Sequence, residues 1–97
     1  MVEKFIQNGE GTIIDVRTRS EFQSGNATGS VNIPVNELIQ RLEEVKLLKT
    51  PLILCCASGG RSSMATHLLK QQGIVSHNAG SWLTVNYLQT QSVSKAV

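Results

Sequence analysis

A cysteine stands where a short apolar run of the chain gives way to a glycine-rich segment. Cys56 follows the run at 52–55, and the candidate loop after it comprises Ala57, Ser58, Gly59, Gly60, Arg61 and Ser62. When such a loop joins a strand to a helix, its backbone N–H groups and the positive end of the helix dipole form an anion site. A thiolate held there has a pKa well below the ~8.5 of a free thiol. We therefore predict a nucleophilic cysteine in an anion-binding loop.

The residue types within the loop suit this chemistry. Gly59 and Gly60 allow the backbone to curl without the steric penalty of a Cβ atom. Arg61 can place a guanidinium against a bound anion, or brace the loop through paired N–H donors. An arginine is mildly unfavourable at the start of a helix unless an anion or a carboxylate meets it, so we expect Arg61 to have such a partner.

Four segments of the chain, in order, resemble the rhodanese family of sulfurtransferases. The loop at 56–62 reads CASGGRS and matches a pattern C-x-x-G-x-R-S. Residues 14–22, IDVRTRSEF, are similar to a D-V-R segment followed by E-Y or E-F, and residues 25–34, GNATGSVNIP, resemble G-H-I-x-G-A-x-N-I-P. Residues 79–82, AGSW, resemble a late glycine and tryptophan turn. Together the segments cover most of the chain.

The resemblance implies one rhodanese-like domain over residues 1–97 that acts as a sulfurtransferase. In that interpretation the Cys56 thiolate takes the outer sulfur of a thiosulfate-like donor and holds it as a persulfide. The terminal sulfur of the persulfide is then removed by cyanide or by an acceptor thiol, which can belong to a protein. No cofactor and no metal are implied, and we expect a monomer or weak dimer. The alternative is a non-catalytic module that carries sulfur for another protein or docks onto it.

A second cysteine leaves the register of the loop open. Counting from Cys55 gives a cysteine, five residues and then Arg-Ser, which is the spacing of the cysteine-dependent phosphatases and suits an arsenate reductase as well. Three features favour Cys56: Leu54 stands where phosphatases usually have a histidine, the loop contains no carboxylate, and the flanking segments resemble small sulfurtransferases. Cys55 is then interpreted as a core residue at the end of a strand, or as a partner thiol for Cys56 on oxidation.

Supporting roles are expected for Asp15 and Arg17. Asp15 is the only aspartate in the chain and interrupts an apolar segment, so it needs hydrogen-bond partners, which we expect to be Arg17 or loop N–H groups. The alternative role, in a phosphatase, is a general acid. His67 and His77 have no metal-ligand spacing to each other or to the cysteines.

Composition excludes several classes of function. A chain of 97 residues with 40% hydrophobic residues and a net charge of +2 fits a single globular domain. Its basic residues are not clustered with aromatics, so nucleic acid is not an expected partner. No apolar run approaches the ~20 residues of a membrane span, and adjacent cysteines cannot form a disulfide framework. We therefore expect no membrane partner and a cytoplasmic protein.

Hydrophobic patterns supply the elements that must position the loop. We expect strands at 12–16, 30–33, 52–55 and 74–77, and helices at 3–7, 18–25, 36–50, 62–72 and 82–88, with a polar tail at 89–95. The third helix should be capped by Asn36, and the fourth should bury a stripe of Met64, Ala65, Leu68 and Leu69. This alternation predicts an α/β fold, namely a parallel sheet of four to five short strands with helices on both faces. The carboxyl ends of its strands would bring Cys56 and Asp15 together.

Overall fold

The computed structural model describes residues 1–91 and contains one sheet of four parallel strands. The strands, in the spatial order β2-β1-β3-β4, are β1 (Thr12–Asp15), β2 (Val31–Asn32), β3 (Leu52–Cys56) and β4 (Ser76–Ser81). All three neighbouring pairs are parallel, as predicted. The strand that leads to the glycine loop is one of the two inner strands, so the loop starts from the best-supported part of the sheet.

Helices cover both faces of this sheet. They are α1 (Val2–Gln7), α2 (Arg19–Ser24), α3 (Leu42–Lys46), α4 (Gly60–Gln71) and α5 (Trp82–Thr90), with a 3₁₀ turn at Val35–Glu37. Side chains of α3 and α4 join the apolar cluster on one face of the sheet, and side chains of α1 and α5 join the cluster on the other. The predicted α/β architecture is confirmed. Within residues 1–91, no helix is long and apolar enough to cross a bilayer.

Strand β3 is buried along its whole length, and its residues alternate between the two clusters. Leu54 and Cys56 belong to the cluster under α3 and α4, whereas Ile53 and Cys55 belong to the cluster under α1 and α5. Successive residues of a strand point to opposite faces of its sheet. An unbroken apolar run is therefore the pattern that a strand covered on both faces requires.

The predicted start of α2 is confirmed in detail. The Thr18 hydroxyl accepts a hydrogen bond from the backbone N–H of Glu21 (3.2 Å), and the Glu21 carboxylate accepts one from the backbone N–H of Thr18 (3.0 Å). This reciprocal capping box satisfies two donors that a helix start otherwise leaves unpaired. The helix ends at Gly25, as predicted.

The prediction of one long helix at 36–50, capped by Asn36, is wrong. Asn36 lies inside the 3₁₀ turn, and the regular helix α3 begins only at Leu42. The backbone N–H of Val35 donates to the carbonyl of Val16 at the end of β1 (3.0 Å), so the chain is still tied to the sheet where the helix was expected to start. Arg41 then leaves helical geometry with φ of −110° and ψ of 26°.

The strand predicted at 74–77 is displaced to Ser76–Ser81. The backbone N–H of Ile74 donates to the carbonyl of Leu69 (2.9 Å) and that of Gly73 to Lys70 (2.9 Å), so both residues still belong to the end of α4. Gly73, with φ of 78°, supplies the left-handed turn that this ending needs.

Two further expectations need correction. Met64 is 57% exposed, because the face of α4 that meets the sheet carries Ser62, Ala65 and Leu69. The polar tail was expected to begin at residue 89, but α5 continues to Thr90. The rest of that predicted tail, at 92–95, lies outside the described residues.

Candidate active site

The glycine loop connects the carboxyl end of β3 to the first turn of α4. Gly59 is the N-cap of the helix and has φ of 105° and ψ of −14°, a left-handed conformation that residues with a Cβ rarely adopt. Gly60 is the first residue of the helix, and its φ is not positive. The twelve-residue helix therefore directs its unpaired N–H groups and the positive end of its dipole toward the loop, as the sequence predicted.

The sulfur of Cys56 is the acceptor at the centre of this loop. The backbone N–H of Gly59 donates to Sγ at 3.0 Å, and the backbone N–H of Ser62 donates at 3.4 Å. The Ser62 hydroxyl lies 3.4 Å from the same sulfur atom. Two backbone N–H groups thus converge on one atom, which favours negative charge on that atom.

These contacts outweigh the effect of burial on the thiol. Burial by itself raises the pKa of Cys56, because it disfavours the charged thiolate. Hydrogen bonds from the side chain and backbone of Ser62, followed by those from the backbone of Gly59 and Ser58, lower it. The balance leaves the pKa of Cys56 below its ordinary value, so the thiolate is more abundant near neutral pH than for a free cysteine.

Cys55 occupies a different environment. Its side chain lies in the cluster under α1 and α5, on the opposite face of the sheet from Cys56. Burial, followed by the charge of Asp15, raises the pKa of Cys55 to about 12, so this thiol stays protonated at neutral pH. The loop N–H groups therefore face Cys56, which is separated from Arg61 by four residues, and not Cys55, which is separated from it by five.

Arg61 pairs with a carboxylate of α2. Its two terminal nitrogens donate to the two oxygens of Glu21 at 2.7 and 3.0 Å, and both side chains are about one third exposed, at 35% and 38%. The same Glu21 oxygen closes the capping box of α2. Arg61 thus connects the first turn of α4 to the start of α2, and the carboxylate partner expected for it is Glu21. Hydrogen bonding to Arg61, followed by that to Thr18, lowers the pKa of Glu21 to about 2.

The end of β1 lies beside the loop and carries a buried ion pair. Arg17 donates to Asp15 through Nη2 (2.7 Å) and Nε (3.0 Å), and through its backbone N–H (3.0 Å). Its guanidinium also donates to the carbonyl of Gly25 (2.6 Å) and lies 4.7 Å from the centre of the Trp82 ring. Asp15 and Arg17 therefore connect β1, the end of α2 and the start of α5.

One residue that contacts the loop was not anticipated. The Asn78 side chain in β4 donates from Nδ2 to the Gly59 carbonyl (3.3 Å), and its Oδ1 accepts from the Ser62 hydroxyl (2.7 Å). Asn78 was missed because the strand was expected to end at residue 77. The Asn-Ala-Gly sequence at 78–80 was the available signal, since such residues are frequent at turns and bulges.

Other parts of the described chain do not add to this site. Among residues 1–91, no three His, Cys, Asp or Glu side chains are grouped so that they could hold a metal ion. A cavity of about 430 Å³ lies at the opposite end of the sheet, between the loop at 8–11 and Gln89, and shares no residue with the Cys56 loop. Within the described residues, neither a metal site nor this cavity therefore extends the site around Cys56.

Comparison with known families gives a match over most of the chain. The family described as Rhodanese-like domain matches residues 1–86. This range contains the whole Cys56 loop, the buried ion pair and all four strands of the sheet.

Individual relatives agree with the family match. The chain is 31% identical over 85 residues to thiosulfate:glutathione sulfurtransferase of Homo sapiens, with 74% of each chain covered. It is 39% identical over 61 residues to the uncharacterized protein YqhL of Bacillus subtilis, which covers 63% of this chain and 48% of that one. The structure of the human single-domain sulfurtransferase TSTD1 superposes with a TM-score of 0.72 at 27% identity, over 94% of this chain and 92% of that one. For three of the curated relatives, the chain spans only 48%, 16% and 32% of their length.

Proposed function

The chain belongs to the rhodanese-like domain family, and we propose that it is a sulfurtransferase in which Cys56 accepts and passes on a sulfane sulfur. The observation that carries this proposal is the convergence of the Gly59 and Ser62 N–H groups on the Cys56 sulfur at the start of α4. This arrangement stabilises a thiolate before the reaction and the charge of a persulfide after it. The match to the human thiosulfate:glutathione sulfurtransferase supports the same chemistry.

In the first half-reaction, the Cys56 thiolate attacks the outer sulfur of thiosulfate. A new sulfur–sulfur bond forms as the original one breaks, and sulfite leaves with the bonding electron pair. The donor is an anion, so it is attracted by the helix dipole and the inward-facing N–H groups. Cys56 then carries a persulfide, whose terminal sulfur lies one bond beyond Sγ.

In the second half-reaction, an acceptor thiolate attacks that terminal sulfur. The acceptor becomes a persulfide, and the Cys56 thiolate is released with the electron pair of the bond that breaks, which restores the starting state. Cys55 cannot be this acceptor, because its sulfur is on the other face of the sheet and stays protonated. The acceptor is therefore external, and a small thiol such as glutathione is the candidate that the human relative suggests.

Intact mass spectrometry after incubation with thiosulfate tests the first step. We expect the mass to rise by one sulfur atom in the parent and in Cys55→Ser, but not in Cys56→Ser, because oxygen cannot form a persulfide. Subsequent addition of glutathione should return the mass to that of the free protein. The adjacent cysteine provides a matched control, because both variants lose one thiol from the same strand.

The outcomes separate the alternatives for this fold. Hydrolysis of a phosphate ester without any gain of sulfur would contradict the proposal and favour the phosphatase interpretation. A sulfur gained on Cys56 that no small thiol removes would instead indicate a carrier that serves one particular protein partner. A sulfur gained by Cys56→Ser would show that the nucleophile is misassigned.

A further inference from the structure

The Ser62 hydroxyl beside Cys56 has more acceptors than it can serve. It carries one proton, and three acceptors lie within reach of it: Oδ1 of Asn78 at 2.7 Å, the carbonyl oxygen of Gly59 at 3.2 Å and Sγ of Cys56 at 3.4 Å. The contact with Asn78 is the shortest and has the ideal length for a bond between a hydroxyl and an oxygen. The proton is therefore directed to Asn78.

The orientation of the Asn78 amide is determined by its other contacts. The backbone N–H of Gly80 donates to Oδ1 at 2.9 Å, so this atom must be the oxygen. The amide nitrogen on the other side faces the carbonyl of Gly59 at 3.3 Å. Asn78 can therefore only accept from Ser62, and it holds that acceptor in place through both ends of its side chain.

A bulge in β4 brings the amide to this position. Leu54 of β3 pairs with Asn78, but the next residue of β3, Cys55, pairs with Gly80, so Ala79 is an extra residue in the edge strand. Gly80 has φ of 82°, a conformation that favours glycine. Bulges near functional sites typically redirect a side chain. Here the bulge aims an amide oxygen at the hydroxyl that, within residues 1–91, contacts the Cys56 sulfur.

We propose that Asn78 is a positioning residue that acts through Ser62. Its amide oxygen accepts the hydrogen bond of the Ser62 hydroxyl, so that this hydroxyl does not donate to the Cys56 thiolate. While Cys56 is a thiol, its own S–H can donate to Ser62 Oγ and every contact is satisfied. When Cys56 loses its proton, the hydroxyl can bond the thiolate only by giving up Asn78. Asn78 thus competes with the thiolate for the Ser62 hydrogen bond and limits how much thiolate the loop holds. This inference deepens the proposed function and rests on it for the role of the thiolate.

The test is a titration of Cys56 by alkylation with iodoacetamide across pH, in a Cys55→Ser background in which Cys56 is the only thiol. Asn78→Ala removes the competing acceptor, so the pKa of Cys56 should fall. A hydrogen bond is worth about 0.5–1.5 kcal/mol net, which corresponds to a roughly two- to tenfold rise in the ratio of thiolate to thiol at a fixed pH below that pKa. Asn78→Asp keeps an acceptor for Ser62 and Gly80 and adds a negative charge, so the pKa should rise.

Charged groups other than residue 78 stay the same in this comparison. The charged or titratable side chains on β1, α2, α4 and β4, and in the turn after β1, are Asp15, Arg17, Arg19, Glu21, Arg61, His67, Lys70 and His77. His77 packs against Phe5 on the opposite face of the sheet, and His67 and Lys70 are exposed further along α4. The other five are held in ion pairs. Asn86→Asp in α5 is the matched control, because it adds the same charge at an exposed position away from the loop and should leave the titration unchanged.

Repeating the titrations with Ser62→Ala separates this role from a purely structural one. Without the hydroxyl, Asn78→Ala should no longer lower the pKa, and the rise caused by Asn78→Asp should become smaller. If Asn78 merely stiffened the loop through Gly59, both Asn78 variants would raise the pKa, and they would do so with or without Ser62; that result would overturn the proposal. If Asn78→Ala does not fold, the isosteric Asn78→Asp provides the test: the rise in the pKa of Cys56 should be smaller with Ser62→Ala than without it, and an equal rise would contradict the proposal. The titration contains no sulfur donor, so its result is independent of whether thiosulfate loads Cys56.

Discussion

Gly59 and Gly60 are adjacent in the sequence but have opposite backbone requirements. Gly59 adopts φ of 105°, whereas Gly60 is the first helical residue of α4 with no positive φ. A Cβ built on Gly59 would lie 3.5 Å from the Cα of Gly80, an ordinary contact, and a Cβ on Gly60 would have no atom within 4 Å. Alanine therefore fits in the available space at both positions, and any difference between the two variants comes from the backbone.

We expect Gly59→Ala to destabilise the protein and Gly60→Ala to stabilise it slightly. A left-handed conformation costs an L-residue roughly 1–2 kcal/mol. At Gly60, alanine restricts the unfolded chain without strain, which is worth about 0.4–1 kcal/mol. The two variants should thus differ by about 1.4–3 kcal/mol. At about 4–8 °C per kcal/mol for a domain of this size, their melting temperatures should differ by at least ~6 °C.

Urea unfolding and the alkylation rate of Cys56 measure the two consequences of Gly59→Ala. The substitution should lower the urea midpoint without changing the slope, because the surface exposed on unfolding stays the same. Alkylation of Cys56 at neutral pH should slow, because a backbone that relaxes from the left-handed region moves the Gly59 N–H away from Sγ, which it now contacts at 3.0 Å. Equal midpoints for Gly59→Ala and Gly60→Ala would refute the reasoning, since the loop then would not depend on the left-handed residue.

Three further predictions concern the groups around the loop. Replacing Arg17 with leucine leaves the buried carboxylate of Asp15 without its charged partner, which should cost about 3–5 kcal/mol in the free energy of unfolding by urea. The pKa of Cys55 is raised from 9.0 to about 12, so its thiol contributes stability that is fully present below pH 9 and is lost as the pH rises toward 12. The free energy of unfolding of Cys55→Val, measured between pH 9 and 12, should lack this decrease. The pKa of Glu21 is lowered from 4.5 to about 2, so its pairing with Arg61 adds stability that is present above pH 4.5 and is lost as the pH falls toward 2; Glu21→Gln should abolish that part of the acid dependence.

Each of these predictions has an outcome that contradicts it. If Arg17→Leu were as stable as the parent, the Asp15 carboxylate would have another partner in the variant, such as water that reaches it. If Cys55→Val loses as much stability as the parent between pH 9 and 12, a group other than Cys55 causes the loss. An unchanged acid transition in Glu21→Gln would show that its bond to Arg61 does not persist in solution, which the 35% exposure of that arginine makes worth testing.

Local patterns were sufficient to predict the architecture and the position of the glycine loop after Cys56. The buried strand β3, the capping box of Thr18 and Glu21 and the glycines after Cys56 are all short-range features, in which neighbouring residues satisfy one another. Alternating strands and helices then permit few arrangements other than a parallel sheet with helices on both faces. The resemblance of four segments to one family agreed with these features, and the family match confirmed it.

The tertiary structure decided which groups meet at the site. Spacing alone allowed either Cys55 or Cys56 to be the nucleophile, and the choice depends on which face of β3 packs against α4. Arg61 pairs with a carboxylate forty residues away in α2, and a bulge in an edge strand brings Asn78 into contact with Ser62. Contacts of this kind depend on the register between elements that are distant in the chain, and periodicity within each element carries no information about that register. The sequence by itself thus determined the loop and predicted its chemistry, whereas packing between elements determined the proton donors and charges that surround the sulfur.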